Sequence, residues 1–244
     1  MRNIALNLQY EGTNYAGWQI QKNANTIEAE IEKAITKLTG EFISVNGCSR
    51  TDSGVHAEEY VANFYTESTI PGDKFVHALN NKLPKDICIN SSEEVPMDFH
   101  ARYHCKKKTY CYTILNRDIP DIFRRNYYNL IRGRLNIDIM KESCKYFIGT
   151  HDFEAFKSEG SSAKTTIRTI YDAHIETYDN YIEIYFTGDG FLYNMVRIMV
   201  ATLIDIGRGK VKPDIIEKGL KTKSKDLKRR VAPAKGLMLK KVFY

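Results

Sequence analysis

The sequence predicts an α+β protein made of two similar halves, in which antiparallel sheets flanked by helices surround a central cleft. Three observations support this fold class. Short runs of alternating apolar residues are typical of half-buried strands, and longer segments with apolar residues three or four apart are typical of helices. The order of these segments also repeats in outline, although no repeat is visible in the residues themselves. A cleft between two such halves is a natural place for a ligand.

The first half is expected to alternate strands with two helices. The string Asn25-Thr26-Ile27-Glu28 resembles a capping box, and Gly40 is a natural stop for the helix that follows it. The predicted elements are a strand over 4–10, this helix, strands over 42–45 and 60–64 around a polar turn, a helix over 71–83 and a short strand over 87–89.

The second half is expected to follow a polar crossover at 91–105. Its predicted elements are a strand over 108–115, a helix over 137–148, strands over 166–177 and 181–187, a helix over 191–206 and a strand over 237–243. We therefore expect one domain over residues 1–98, which carries the polar turn. The second domain, over 99–244, is expected to complete the ligand pocket and to carry a basic surface.

The composition is that of a soluble globular protein, with 43% hydrophobic and 27% charged residues in a chain of 244. No apolar run is long enough to span a bilayer, and the first residues alternate as a strand does and not as a signal peptide. The five cysteines form no Cys-x-x-Cys pair and are odd in number. Reduced thiols in the cytoplasm, without a zinc site, are the simplest interpretation.

Positive charge is concentrated in two windows, although the formal net charge is only +6. Residues 100–134 hold nine Lys/Arg against two acids, and residues 207–235 hold eleven against three. Segregated positive charge indicates a polyanionic partner. For residues 221–230 a solvated lysine-rich face is an equally plain explanation. In the first window the bases alternate with aromatic rings that could stack on RNA bases, namely Tyr103, Tyr110, Tyr112, Phe123, Tyr127 and Tyr128.

The polar turn at residues 47–57 is the most informative stretch of the chain. It places Asp52 between Arg50 and Gly54, with no second acid in the turn, so paired-carboxylate hydrolysis is not indicated. A single carboxylate beside an arginine suits either a nucleophile or a structural ion pair. An Arg-Thr-Asp-Ser-Gly string is also ordinary turn chemistry.

Several other chemistries lack their motifs in this sequence. Residues 188–190 contain Gly-Asp-Gly before a helix but miss the third glycine and the downstream acid of a dinucleotide fingerprint. No Gly-x-Ser-x-Gly elbow occurs, and the histidines show no metal-ligand spacing. The sequence therefore argues against a metal, a nucleotide cofactor and a serine mechanism.

The turn resembles the signature of the tRNA pseudouridine synthase A (TruA) family, which runs roughly G-x-x-R-T-D-x-G-V-H. Four more segments match the family in order, and together they span nearly the whole chain. They are YEGTNYAGWQIQ at 10–21, NNKLPKDI at 80–87, FHARY with KTYCY within 99–112, and GFLYNMVR at 190–197.

The resemblance implies the pseudouridine synthase fold and the isomerisation of uridine to pseudouridine at positions 38, 39 and 40 of the tRNA anticodon stem-loop. It implies no cofactor, and a homodimer in which one stem-loop bridges both subunits. Asp52 would be the nucleophile, through addition to C6 of uracil, attack on C1′ of the ribose, or a glycal. Two other interpretations stay open: a paralogue that modifies another structured RNA such as 23S rRNA, and a non-catalytic RNA-binding module.

The resemblance also implies roles for individual side chains near the base. Tyr110 would pack on the target base and take a proton late in the reaction, Arg50 would enter the space left by the flipped base, and Arg197 would pair with Asp52. Phe191 and Leu192 would form the floor of the uracil pocket. The residues alone allow plainer roles: a core aromatic for Tyr110, a surface ion pair for Arg50, a snorkelling side chain for Arg197 and core packing for the last two.

Contacts with RNA phosphates are implied for a second set of residues. These are His100, Arg102, Lys106, Lys107 and Lys108, together with a loop that contains Lys164, Thr165, Thr166 and Arg168. Residues 158–163, just before this loop, do not match the family pattern.

Overall fold

The computed structural model describes residues 1–160, 163–222 and 230–244. Part of the lysine-rich segment at 221–230 and part of the unmatched run at 158–163 therefore lie outside the described residues. The chain forms two compact units. Unit 1 comprises Met1–Lys106 and Met238–Tyr244, and unit 2 comprises Lys107–Leu237.

In unit 1, the strands β4 (Ile87–Val95), β1 (Arg2–Tyr10) and β3 (His56–Thr66) pair antiparallel in that order. Ile4, Leu6 and Leu8 of the first strand are fully buried, as their alternation predicts. The elements are β1 (Arg2–Tyr10), α1 (Ile27–Thr39), β2 (Asn46–Gly47), β3 (His56–Thr66), α2 (Phe75–Asn80) and β4 (Ile87–Val95).

Helix α1 forms where the sequence predicts it, with its cap one residue later than in the proposed capping box. The N-cap is Thr26, whose hydroxyl accepts a hydrogen bond from the Ala29 N–H. Glu28 does not complete the box, because its carboxylate accepts from the Ile20 N–H instead. Gly40 ends the helix with a left-handed φ of 79°.

Three predicted elements of unit 1 differ in extent. Residues 42–45 form no strand: Phe42 is 99% exposed, and the Val45 N–H donates to the Glu32 side chain and not to a neighbouring strand. The helix predicted over 71–83 is α2 alone, after a short 3-10 turn. The strand predicted over 87–89 continues to Val95. Pairing with β1 keeps the polar residues from 91 onward in the strand, although the sequence predicts them in the crossover.

In unit 2, β5 (Lys107–Asn116), β9 (Tyr181–Gly188), β8 (Ile167–Tyr178) and β7 (Gly149–Asp152) pair antiparallel in that order, and β6 (Asn129–Ile131) pairs parallel to β5. The strands predicted over 108–115, 166–177 and 181–187 are confirmed, but β6, β7 and α5 were not predicted. The elements are β5 (Lys107–Asn116), β6 (Asn129–Ile131), α3 (Ile137–Cys144), β7 (Gly149–Asp152), β8 (Ile167–Tyr178), β9 (Tyr181–Gly188), α4 (Met195–Gly207) and α5 (Asp214–Thr222). Strand pairing that is mainly antiparallel, together with the flanking helices, confirms the α+β class.

The final strand, β10 (Leu237–Phe243), returns to unit 1 and pairs parallel to β3 at Met238 and Leu239. The chain before unit 2 is also held in unit 1, since the Lys106 N–H donates to the Phe243 carbonyl. The units therefore divide at Lys106/Lys107 and near Leu237, whereas the sequence predicts one boundary at 98/99. Long-range hydrogen bonds of this kind leave no local signal in the sequence.

Candidate active-site elements

Asp52 lies in a tight turn of unit 1 between β2 and β3. The Asp52 carbonyl accepts a hydrogen bond from the Val55 N–H at 3.1 Å, and Gly54 takes a left-handed φ of 76°. The Asp52 side chain is half-buried and Arg50 is exposed. The turn therefore carries a partly buried acid two residues after an exposed arginine.

The chain segment at 10–18 holds this turn from one side. The Thr51 carbonyl accepts from the Trp18 N–H at 3.1 Å, and the Thr51 hydroxyl is hydrogen-bonded to the Tyr10 hydroxyl at 2.8 Å. The Tyr15 carbonyl accepts from the Gly54 N–H and from the Ser53 hydroxyl, both at 3.2 Å. The residues on both sides of Asp52 are thus fixed by a segment about 40 residues earlier in the chain.

Two glycines allow this close approach. A Cβ at Gly17, whose φ is 97°, would lie 2.5 Å from the Thr51 carbonyl oxygen. A Cβ at Gly12 would lie 2.0 Å from the Val55 carbonyl oxygen. Both distances are far below van der Waals contact, so any side chain there would displace the turn that carries Asp52.

Buried rings support the same turn from behind. Trp18 is 2% exposed and stacks on Tyr60 with ring centroids 4.1 Å apart, so it packs in the core behind the turn. The Tyr60 hydroxyl donates to the Ser49 carbonyl. The Gly12 N–H donates to Nδ1 of buried His56 at 3.0 Å, so that nitrogen carries no proton.

The predicted phosphate contacts of unit 1 lie on a turn at 99–106. Arg102 and Lys106 are exposed, and the Arg102 guanidinium lies 5.9 Å from the centre of the Tyr103 ring. Burial lowers the pKa of His100, and the neighbouring charges of His104 and Arg102 lower it further. His100 is therefore neutral at pH 7 and would contact RNA as a hydrogen-bonding group.

Unit 2 brings Tyr110 and Phe191 together. Tyr110 lies on β5 and is 6% exposed, and the half-buried Phe191 ring meets it edge-on at a centroid distance of 5.1 Å. Leu192 is 5% exposed. A Cβ at Gly188 would lie 3.3 Å from the Phe191 ring, so this glycine leaves room for it. The arrangement suits both an aromatic pocket wall and ordinary packing.

Arg197 is half-buried in the first turn of α4, with its guanidinium fixed by acceptors of unit 2. Nε donates to the Ala232 carbonyl and one terminal nitrogen donates to Oδ1 of Asn194, both at 2.7 Å. Burial raises the pKa of Tyr112 far above its usual range, and the positive charge of Arg197 opposes that shift. A snorkelling side chain would have its head in water, so these bonds do not support that interpretation.

The predicted RNA-touching loop of unit 2 is exposed in part. Lys164 and Thr165 are exposed, and the Arg168 guanidinium folds back onto the Thr165 carbonyl at 3.0 Å. A Cβ at Gly190 would lie 3.4 Å from Nε of Arg168, so this arginine passes close to the residue before Phe191. Lys107 and Lys108 are half-buried at the start of β5.

Sequence reasoning missed three supports of these residues: the Tyr10–Thr51 bond, the His56–Gly12 bond and the contact of Asn194 with Arg197. All lie inside the matched motif strings, where neighbouring residues gave no hint of a partner. Among residues 1–160, 163–222 and 230–244, no group of three or more His, Cys, Asp or Glu is arranged to hold a metal ion. No helix in those ranges is long and apolar enough to cross a membrane.

Comparison with known proteins gives one family. A family model described as tRNA pseudouridine synthase matches residues 8–104 and 143–244. The chain is 54% identical to tRNA pseudouridine synthase A 2 of Clostridium perfringens (strain 13 / Type A), and 53% identical to tRNA pseudouridine synthase A of Clostridium acetobutylicum. It is 50% identical to tRNA pseudouridine synthase A of Acetivibrio thermocellus. Each of these alignments covers 100% of both chains.

Proposed function

Because this chain belongs to the tRNA pseudouridine synthase family, we propose that it isomerises uridine to pseudouridine at positions 38, 39 and 40 of the tRNA anticodon stem-loop. Asp52 is the nucleophile. The observation that carries this assignment is the way in which unit 1 fixes the turn around Asp52, through Tyr10, Tyr15 and Trp18, while Asp52 itself is only partly buried.

The reaction is an internal rearrangement that needs no oxidant or reductant. The N1–C1′ bond breaks, a C5–C1′ bond forms, the proton on C5 leaves to solvent, and N1 takes up a proton from solvent. An ionised carboxylate assists by adding to C6, by attacking C1′, or by helping to expel the base through a glycal. In each route the carboxylate must be charged and held close to the nucleoside, and Asp is charged at neutral pH by default.

The proposal assigns the base pocket to unit 2. Tyr110 packs on the uracil and takes a proton late in the reaction, and Phe191 and Leu192 form the pocket floor. Arg197 supplies the positive charge that keeps Asp52 ionised and oriented. The edge-on contact of Tyr110 with Phe191 and the two hydrogen bonds of Arg197 support these roles, because pocket residues must be rigid to position a base.

The target uridines of a stem are stacked, so the base must flip out before it can react, and flipping costs a few kcal/mol. Arg50 is exposed on the same turn as Asp52 and enters the space that the base vacates. Phosphate contacts come from residues that position RNA without reading its sequence. They are His100, Arg102, Lys106, Lys107, Lys108, Lys164, Thr165 and Arg168.

The protein acts in the cytoplasm as a homodimer in which one anticodon stem-loop contacts both subunits. The charge of the chain supports a polyanionic substrate, since its formal net charge is +6. Light scattering of the purified protein, alone and with tRNA, tests this assembly. A species with the mass of one chain bound to one tRNA would contradict it.

Tritium release from tRNA labelled at C5 of uridine tests the function, because that hydrogen is lost when the C5–C1′ bond forms. We expect the wild type to release tritium and Asp52→Asn to release none while it still binds tRNA. Asp73→Asn, which alters an exposed carboxylate of unit 1, is the matched control and should be fully active. Release by Asp52→Asn at the wild-type rate would reject the nucleophile.

Mass-spectrometric mapping of pseudouridine in tRNA and ribosomal RNA completes the test. Product in ribosomal RNA alone would identify a paralogue with another substrate. Tight RNA binding without product in either RNA would identify a non-catalytic binding module.

A further inference from the structure

Asn194 has an unusual backbone conformation immediately before α4. Its φ of 59° and ψ of 8° lie in the left-handed region. Among the described residues only Asn23 and Asp179 share a positive φ without being glycine. Glycine adopts this conformation without steric cost, so an asparagine here needs another reason.

Helix capping is not that reason. Asn194 is the N-cap of α4, yet its side chain makes no capping hydrogen bond to the helix backbone. Asparagine is favoured at N-caps because its side-chain oxygen accepts from a backbone N–H two or three residues on. In this chain that oxygen accepts a hydrogen bond from Arg197 instead.

The Asn194 carboxamide connects two side chains. Oδ1 accepts from a terminal nitrogen of Arg197 at 2.7 Å, and Nδ2 donates to the Ser158 hydroxyl at 2.9 Å. Ser158 is itself tied to the same turn, since its N–H donates to the Tyr193 carbonyl at 3.0 Å. The carboxamide therefore has one fixed anchor and one cationic partner.

Arg197 is fixed on its other side by Ala232. Nε donates to the Ala232 carbonyl at 2.7 Å, and the Ala232 N–H donates back to the Arg197 carbonyl at 3.2 Å. A planar guanidinium held by acceptors at two of its nitrogens has a defined direction. Of these two hydrogen bonds, removal of the Asn194 oxygen would leave the one to the Ala232 carbonyl.

We propose that Asn194 is a positioning residue that uses Ser158 as an anchor to set the direction of the Arg197 guanidinium. The inference rests on the proposed function, in which Arg197 keeps Asp52 ionised and oriented. Asn194 touches neither the nucleoside nor Asp52 in this proposal, and acts only through Arg197. Loss of the carboxamide should therefore slow the chemical step more than it weakens tRNA binding.

Asn194→Gly separates this role from a backbone role. Glycine is the residue best suited to the left-handed conformation, so a purely structural requirement is met by the variant. We expect a melting temperature close to that of the wild type, a KM for tRNA within about threefold, and a kcat lower by about 10- to 100-fold, as misplaced catalytic groups typically give. A kcat within twofold of the wild type would overturn the proposal.

Ser158→Ala is the second variant and keeps the test valid if Asn194→Gly fails to fold. It removes the anchor and leaves the Asn194–Arg197 bond, so kcat should fall by less than in Asn194→Gly. An unchanged kcat in Ser158→Ala would overturn the role of the anchor.

The pH profile gives a readout that a structural role would not move. In Asn194→Asp the new carboxylate compensates part of the positive charge of Arg197. The pKa of Asp52 should then rise, and the acid limb of kcat should move to higher pH. An acid limb at the wild-type pH in this variant would contradict the proposed link through Arg197.

Hydrogen exchange separates failure of this inference from failure of the proposed function. The Ser158 N–H should exchange faster in Asn194→Gly, because the turn at Tyr193 loses one of its two bonds to Ser158. An inactive wild type would reject the proposed function and leave this exchange result to decide the Asn194–Ser158 link. Unchanged exchange would reject that link even in an active enzyme.

Discussion

The hydroxyls of Tyr10 and Thr51 form a buried hydrogen bond of 2.8 Å, one residue before Asp52. Tyr10 is 4% exposed and Thr51 is 7% exposed, so neither group can readily exchange this partner for water. The bond connects the end of β1 to the turn that carries the proposed nucleophile. The position of Asp52 therefore depends on a residue 42 positions earlier in the chain.

Tyr10→Phe should lower both stability and activity. The variant leaves the Thr51 hydroxyl without this buried partner, which typically costs about 1–3 kcal/mol of unfolding free energy. We expect kcat to fall further than stability explains, because the backbone beside Asp52 is released. Urea unfolding and tritium release measure the two effects. Tyr65→Phe is the control, because it removes an exposed hydrogen bond from a tyrosine hydroxyl to the Met97 carbonyl. Equal losses of stability and kcat in the two variants would contradict the prediction.

Gly17→Ala should displace the turn that carries Asp52, the proposed nucleophile. The new methyl group would lie 2.5 Å from the Thr51 carbonyl oxygen, and the backbone φ of 97° is unfavourable for alanine. We expect a loss of more than about 1 kcal/mol of unfolding free energy together with a large loss of activity. Gly133→Ala also places alanine at a positive φ, 80°, but with no atom within 4 Å of the new methyl group, so a larger loss in Gly17→Ala reports crowding. Equal stability losses would show that crowding is absent.

Tyr110→Phe should keep the fold and slow the reaction. The ring and its edge-on contact with Phe191 remain, and only the proposed proton acceptor is lost. General acid–base groups typically contribute about 10²–10⁴-fold, so kcat should fall within that range while the Kd for tRNA stays constant. Tyr185→Phe, on the neighbouring strand β9, removes a hydroxyl bonded to Glu183 and should leave kcat unchanged. A fully active Tyr110→Phe enzyme would reduce Tyr110 to a packing residue.

Arg50→Ala should affect paired target uridines more than unpaired ones. Arg50 offsets the cost of base flipping in the proposed function, and an unpaired base costs less to flip. Single-turnover rates on stem-loops with the target uridine paired or mismatched measure the difference. Equal losses on both substrates would remove Arg50 from the flipping step.

The salt dependence of tRNA binding should separate Arg102 from His100. Arg102→Ala should reduce the slope of log K against log salt concentration by about 1, because one phosphate contact is lost. His100→Gln should leave the slope unchanged, since burial holds the pKa of His100 below its ordinary value of 6.5 and the ring is uncharged at pH 7. A slope change in His100→Gln at pH 7 would show that the ring is charged.

Local sequence signals predicted those elements whose causes are local. The period-two pattern of Ile4, Leu6 and Leu8 is sufficient for β1, and a capping threonine with a terminal glycine is sufficient for α1. Prediction was wrong over 42–45, where apolar residues lack a strand to pair with. It was also wrong at 191–194: the helix predicted from residue 191 begins only at Met195, because Asn194 takes a left-handed conformation.

The sequence by itself determined the α+β class, the basic character of the chain and the proposal of Asp52 as the nucleophile. These follow from the alternation of apolar residues, from the charge and from a short motif, all of which can be read along the chain. Only the tertiary structure decided what holds that carboxylate. The bonds Tyr10–Thr51 and Gly12–His56 join residues 41 and 44 positions apart, and β10 returns to β3 from the end of the chain. Such contacts form only when the folded backbone brings distant segments together, so no local pattern specifies them.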